Sequence, residues 1–176
     1  MITVPVKAST EYNIVIGTGL MEHAGEYLRK VTKGDGVMLV CGDNVNGLYA
    51  DCVTASLEAA GYRVERFVYP HGEQSKTPET YLSLLTALAE AQITRSDTIV
   101  ALGGGVTGDL AGFAAATYQR GIAYVQMPTT LLASVDSSVG GKTAIDLPAG
   151  KNLVGAFYQP RMVLCDLNAL DTLPAE

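Results

Sequence analysis

The 176 residues contain no tryptophan, two histidines and three cysteines, and only 17% of them carry charge. His23 and His71 lie far apart, and neither sits in an HExxH or comparable spacing, so the chain spells out no metal ligand set. Cys41, Cys52 and Cys165 include no CxxC pair, which excludes a zinc knuckle or a redox dithiol and points to free thiols in a reducing compartment. No apolar run approaches the roughly 20 residues of a membrane span. The opening MITVPVKAST lacks the basic flank and long apolar stretch of a signal peptide, so the expected location is cytoplasmic. Low charge does not mean disorder here, because 48% of residues are hydrophobic, enough for a globular core. Eighteen carboxylates against twelve Lys and Arg leave a net charge of −6, which disfavours nucleic acid and membrane surfaces as partners. An anionic ligand would need a local basic cluster.

Strand-like and helix-like segments alternate along the chain. Residues 2–6 and 12–16 read as an N-terminal β-hairpin, and 37–41, 62–69, 98–102, 122–127 and 162–167 read as further strands. Several are continuously apolar, as suits strands covered on both faces in a parallel sheet. Between them, 20–30, 48–60, 78–91 and 106–118 carry apolar residues at helical spacing, the third opening with Thr77 as N-cap and Pro78 behind it. This order predicts an α/β, Rossmann-like fold: a mostly parallel sheet flanked by helices, all of 1–176 forming one domain. Ligands in such folds sit beyond the carboxyl ends of the strands.

Gly103-Gly104-Gly105-Val106-Thr107-Gly108-Asp109 follows a strand and opens a helix with the Gly103-x-Gly105-x-x-Gly108 spacing of a dinucleotide turn, whose backbone N–H groups can receive a pyrophosphate. Alone the signal is weak. The usual fingerprint opens the first βαβ unit and has an acidic residue about 20 positions on, where this chain has Pro128; a tight turn with small residues for helix packing explains the glycines about as well. Asp43, two residues past the strand at 37–41, is placed to accept from a ribose diol, or to start a helix. Gly72-Glu73-Gln74-Ser75-Lys76 follows the next strand and brings a second carboxylate and a lysine to the same edge. Ser137-Ser138-Val139-Gly140-Gly141-Lys142-Thr143 lacks the first glycine of a phosphate loop, since Asp136 stands there, so an ATPase or GTPase is disfavoured. The segment reads instead as a glycine-rich loop presenting Lys142. From Leu110 to Pro160 only Arg120, Asp136, Lys142, Asp146 and Lys151 are charged. Lys142, Lys151 and Arg120, with Asn152, therefore read as an anion site, against a surface salt-bridge role for each taken alone. His23 reads as solvent-facing and His71 as a loop residue.

GGGVTGDLAGFAAATYQRGI (103–122), QMPTTLLASVDSSVGGKTAID (126–146), GKNLVGAFYQP (150–160), LDTLP (170–174) and GEQSK (72–76) closely resemble the 3-dehydroquinate synthase family. The resemblance runs over essentially the whole chain and implies a catalytic NAD cofactor. It implies conversion of 3-deoxy-D-arabino-heptulosonate 7-phosphate, a sugar acid bearing carboxylate and phosphate, to dehydroquinate and phosphate on the shikimate route to chorismate and the aromatic amino acids. It assigns cofactor contacts to Asp43, Glu73, Lys76, Gly104, Gly105, Val106, Gly108, Asp109, Thr129, Thr130, Leu170 and Thr172. It assigns catalytic roles to Asp136, Lys142, Lys151 and Asn152 in the cleft between cofactor and substrate, with Lys142 and Lys151 also contacting the cofactor, and to Arg120, which matches a residue reaching the neighbouring site of a homodimer. Family members hold zinc or cobalt through a glutamate and two histidines of a helical C-terminal domain, which is expected to fall outside residues 1–176; Glu176 is not expected to match that glutamate. The chain is thus expected to be the NAD-binding half and inactive alone. The alternatives are another sugar-phosphate cyclase of the 2-deoxy-scyllo-inosose synthase type and a non-catalytic dinucleotide-binding module.

Overall fold

A computed structural model describes residues 1–173; the readings that touch Pro174 and Glu176 lie outside the described residues. The sequence pattern produces seven strands of one sheet, β1 (Ile2–Lys7), β2 (Glu11–Gly17), β3 (Gly36–Gly42), β4 (Arg63–Tyr69), β5 (Thr98–Gly103), β6 (Ala123–Pro128) and β9 (Met162–Asp166). Their order is β1-β2-β9-β6-β5-β3-β4. Only the β1–β2 hairpin is antiparallel; the other five pairings are parallel. β3 and β5 are buried at every position, as their unbroken apolar runs require.

Alternation along the central strands sends side chains into two separate layers. Val37, Leu39 and Cys41 of β3 pack with Val100 and Leu102 of β5 against α1 (Ala24–Arg29) and α3 (Asp51–Ala59), through Leu28, Val53 and Leu57. Met38, Val40, Ile99 and Ala101 face the opposite side, against Leu84 and Leu88 of α4 (Pro78–Glu90) and Leu110 and Phe113 of α5 (Gly105–Thr117). α4 begins where the sequence indicates, with the Thr77 hydroxyl accepting from the Thr80 N–H and proline at the first turn.

Three stretches depart from the sequence expectation. The helix expected over 20–30 divides into a 3-10 turn (Met21–His23) followed by α1, and the one expected over 48–60 begins earlier, with α2 (Asp43–Val45) and a π-helical stretch (Asn46–Ala50) ahead of α3. The largest departure is at 142–157. These residues, to which no strand is assigned above and of which Lys142 and Thr143 read as part of a glycine-rich loop, form a second antiparallel hairpin of β7 (Lys142–Leu147) and β8 (Gly150–Phe157). It packs on the outer side of α5, so that helix lies between the main sheet and the hairpin. This explains why α5 is apolar nearly all round, with eight of its residues buried.

Asp97 ties the loop before β5 to the start of β3. Its carboxylate accepts from the Gly36 N–H at 2.8 Å, the Thr94 N–H at 2.7 Å and the Thr94 hydroxyl at 2.9 Å. Burial pushes its pKa up, but these bonds outweigh burial and hold it below the ordinary carboxylate value. Asp97→Ala is expected to cost about 2–3 kcal/mol near pH 7, because a buried amide donor loses its partner. A carboxyl with a lowered folded pKa stabilises above its unfolded pKa, and that contribution disappears as pH falls through the folded one. The deficit measured by urea unfolding should therefore shrink in acid; an equal deficit at pH 7 and pH 3 would contradict this role.

Candidate functional site at the carboxyl edge of the sheet

From β3 the chain goes to β4 on one side, then returns to β5 on the other, so the strand order reverses between β3 and β5. Ligand crevices of open parallel sheets form at such a switch point, beyond the carboxyl ends of the strands. Asp43 stands at the end of β3 and the Gly103-Gly104-Gly105 turn at the end of β5, flanking that crevice. Thr129 and Thr130 follow β6; the Thr129 N–H donates to the Gly103 carbonyl at 3.0 Å, fastening the two neighbouring turns together.

The glycine turn is shaped for close approach. Gly104 caps α5 without any side chain capping the helix, so first-turn N–H groups stay free for an anion. A Cβ on Gly104 would lie 3.3 Å from Thr130 Cγ2, and one on Gly105 3.1 Å from Ser137 Oγ. Gly108 serves packing, since a Cβ there would come within 2.5 Å of Gln126 Oε1 on β6. Val106 follows Gly105 within the first turn of α5. Leu170 and Thr172 lie in the 3-10 segment after β9 (Leu167–Thr172), and Tyr49 joins that segment to the helical stretch after β3 by bonding Thr172 Oγ1 and, at 3.2 Å, the Ala169 carbonyl.

Beside the turn, α5, the β7–β8 hairpin and the π-helical Ala133–Ser137 segment enclose a cleft of about 470 Å³, lined by Asp109, Asp136, Ser137, Lys142, Asn152 and Phe157 among others. Lys76, with 4% of its side chain exposed, donates to the Asp109 carboxylate and, at 2.5 Å, to Asn152 Oδ1. Burial raises the pKa of Asp109, and the Lys76 ammonium pulls it partly back. Since Asn152 Oδ1 is occupied, its amide N–H groups are left to donate. Ser137 Oγ is buried with no partner. The cleft mouth carries exposed Leu153 and Phe157.

Sequence reasoning grouped three cations, and the structure separates them. Lys142 lines the cleft. Lys151 is exposed and pairs with Glu73 at 3.2 Å. Arg120 sits past the far end of α5, near the amino end of β6 and away from the glycine turn, with positive φ at both Gln119 and Arg120. Two features escaped the sequence reading. Ser137 was visible only as part of a glycine-rich stretch. His71 stands two residues past β4 and bonds Asp43, which only the sheet order could have revealed. Among the described residues, no group of three His, Cys, Asp or Glu side chains suits a metal ion. No helix among them is long and apolar enough to cross a membrane.

A mostly parallel sheet flanked by helices, with a glycine turn at its switch point and a polar cleft alongside, is the architecture of a Rossmann-like α/β domain. The family model for the N-terminal part of 3-dehydroquinate synthase matches residues 66–176. A 3-dehydroquinate synthase of Caulobacter vibrioides is 53% identical over 175 residues, covering 98% of this chain and 47% of that protein. Among solved structures, 2-deoxy-scyllo-inosose synthase complexed with carbaglucose-6-phosphate, NAD+ and Co2+ superposes with a TM-score of 0.90 at 32% identity, covering 98% of this chain and 48% of that one. 2-epi-5-epi-valiolone synthase from Streptomyces hygroscopicus, with NAD+ and Zn2+ bound, gives 0.83 at 28% identity, covering 97% and 47%. The chain belongs to the 3-dehydroquinate synthase family and spans about half the length of the curated relatives it matches.

Proposed function

We propose that residues 1–176 are the NAD-binding domain of a 3-dehydroquinate synthase, whose substrate is the doubly anionic sugar acid 3-deoxy-D-arabino-heptulosonate 7-phosphate. The observation that carries this reading is the adjacency of the glycine turn at the switch point to a cleft holding Lys142, Asn152 and Asp136. The higher identity to a 3-dehydroquinate synthase than to the inosose synthase favours this substrate over that of the other cyclase.

The residues fit a dinucleotide. The free N–H groups at the start of α5, with Gly104 and Gly105 leaving the approach open, receive the pyrophosphate. Asp43 accepts from a ribose diol, and Thr129, Thr130, Leu170 and Thr172 border the same edge. When bound, NAD supplies reversible oxidation of a substrate hydroxyl, and the resulting ketone acidifies the neighbouring C–H so that phosphate can leave. Lys142 offers a compact cation to the substrate's phosphate or carboxylate, and Asn152 offers an amide donor. Lys76 holds Asp109 and Asn152 in place at the junction of cofactor and substrate. Glu73 keeps Lys151 at the hairpin turn, within reach of the cleft by rotation of its long side chain. Zinc or cobalt would bind outside the described residues, and no step here runs through it. Arg120, turned away from its own chain's cleft, suits contribution to the neighbouring site of a homodimer. A cytoplasmic enzyme with no nucleic-acid or membrane partner accords with the net charge of −6.

Calorimetric titration with NAD tests the reading. The chain is expected to give saturable one-site heat, with Asp109→Ala weakening the affinity about tenfold or more by releasing Lys76. Flat heat from the parent chain overturns the proposal.

A further inference from the structure

Outside the residues that the family resemblance assigns, one side chain is joined to the cofactor edge in an unusually complete way. Asp43 Oδ1 accepts three hydrogen bonds, from the Asn44 N–H at 2.8 Å, the His71 N–H at 3.0 Å and His71 Nδ1 at 2.6 Å. A carboxylate only accepts, so Nδ1 carries the proton. Oδ2 accepts from no described group and keeps its lone pairs for an incoming diol. The two residues meet because β3 and β4 are neighbours in the sheet, with their carboxyl ends in register from Gly42 to Tyr69. Gly42 allows the approach, since a Cβ there would lie 3.2 Å from the His71 Cβ and 3.4 Å from its Cα.

We propose that His71 is the positioning residue for the ribose end of the dinucleotide site, fixing the Asp43 carboxylate so that Oδ2 faces the 2′- and 3′-hydroxyls. Hydrogen bonding from His71, led by its ring N–H, also holds the Asp43 pKa below the ordinary carboxylate value, so the acceptor stays ionised at neutral pH. Both side chains are exposed. Without the His71 ring only the backbone amides of residues 44 and 71 would hold Oδ1, leaving an exposed carboxylate less firmly oriented, and each nucleotide bound would have to order it. The inference rests on the NAD-binding reading and adds to it a residue and a specificity: recognition of an unmodified ribose diol, against which a 2′-phosphate would set like charges together.

The test compares the parent chain, His71→Ala and His71→Asn, each titrated with NAD, with ADP and with 2′,3′-dideoxy-ADP. Asparagine can place an amide N–H where the imidazole Nδ1 stands. His71→Ala should bind NAD and ADP about five- to tenfold more weakly, His71→Asn should return to within about twofold of the parent, and affinity for the dideoxy nucleotide should be the same in all three. Equal weakening for ADP and dideoxy-ADP would mean general damage to the loop and would overturn the assignment. So would unchanged ADP affinity in His71→Ala, a result that leaves NAD binding by the parent, and hence the proposed function, standing. A parent chain that binds neither NAD nor ADP removes both.

Discussion

Replacing Lys76 by methionine is expected to destabilise the chain by about 3 kcal/mol at neutral pH, among the larger effects available from a single side chain. The methionine fills most of the space, so the loss is electrostatic rather than a cavity. Lys76 is almost fully buried and its ammonium is shared between the Asp109 carboxylate and Asn152. Removing one member of a buried pair leaves the other charge uncompensated, which typically costs about 3–5 kcal/mol. The lower end applies because a fifth of the Asp109 side chain is exposed. The pH dependence has a definite sign. Burial already raises the Asp109 pKa, and the hydrogen bond and charge of Lys76 are what oppose it, so loss of Lys76 raises it further. A carboxyl whose folded pKa lies above its unfolded one gains relative stability as pH falls, because the folded state takes up the proton first. The deficit of Lys76→Met should accordingly be largest near pH 7.5 and smaller near pH 5 in urea unfolding. Adding Asp109→Asn should recover part of the loss, because the uncompensated charge disappears. A deficit independent of pH, or a double variant no more stable than the single, would show that Lys76 acts by packing alone.

That pair also marks how far the sequence could be read. The carboxyl-edge rule put Asp43, Glu73, Gly104 and Gly105 on one side of the sheet because each follows a strand-like run that alternates with helical spacing, clearest for β3 and β5, where every residue is buried. Pairing across elements carries no such local signature. Lys76 meets Asp109 33 positions on and Asn152 76 positions on. Lys151 turns to Glu73 rather than to Lys142 because the hairpin turn lies over the loop after β4, an arrangement also held by the Asp146 N–H donating to the Lys76 carbonyl at 2.8 Å.

The β7–β8 hairpin was hidden for a related reason. Strand signals rest on alternation of large apolar and polar residues, but β8 is exposed along Lys151–Gly155 and rich in small residues, and β7 buries only Thr143 and Ile145. Small residues are what the helix beneath demands: at Gly112 of α5 an added Cβ would run into Thr143 and meet the Tyr124 ring at 3.2 Å. The tight fit that positions Lys142 and Asn152 thus erased the pattern by which those strands could have been recognised. Arg120 illustrates the converse. Its closeness in sequence to the end of an apolar helix was legible, but α5 runs the full depth of the sheet and carries the arginine to the opposite end.

The glycine turn permits the sharpest separation of binding from folding. Gly105→Val is expected to lower NAD affinity by about a hundredfold or more, while changing stability by only about 1 kcal/mol. Gly105 is the first residue of α5 and does not have a positive φ, so valine meets no backbone strain there. Its Cβ would lie 3.1 Å from Ser137 Oγ, a hydroxyl that bonds nothing and can swing aside. The isopropyl group, however, would occupy the space through which an anion reaches the N–H groups of the first turn. Losing one or two charge-assisted hydrogen bonds of about 1.5–3 kcal/mol each gives the expected factor. Thermal unfolding and NAD titration on the same sample check both halves. A variant that folds as well as the parent and binds NAD equally tightly would mean that the glycines serve only helix packing, and the cofactor would have to lie elsewhere on the sheet edge.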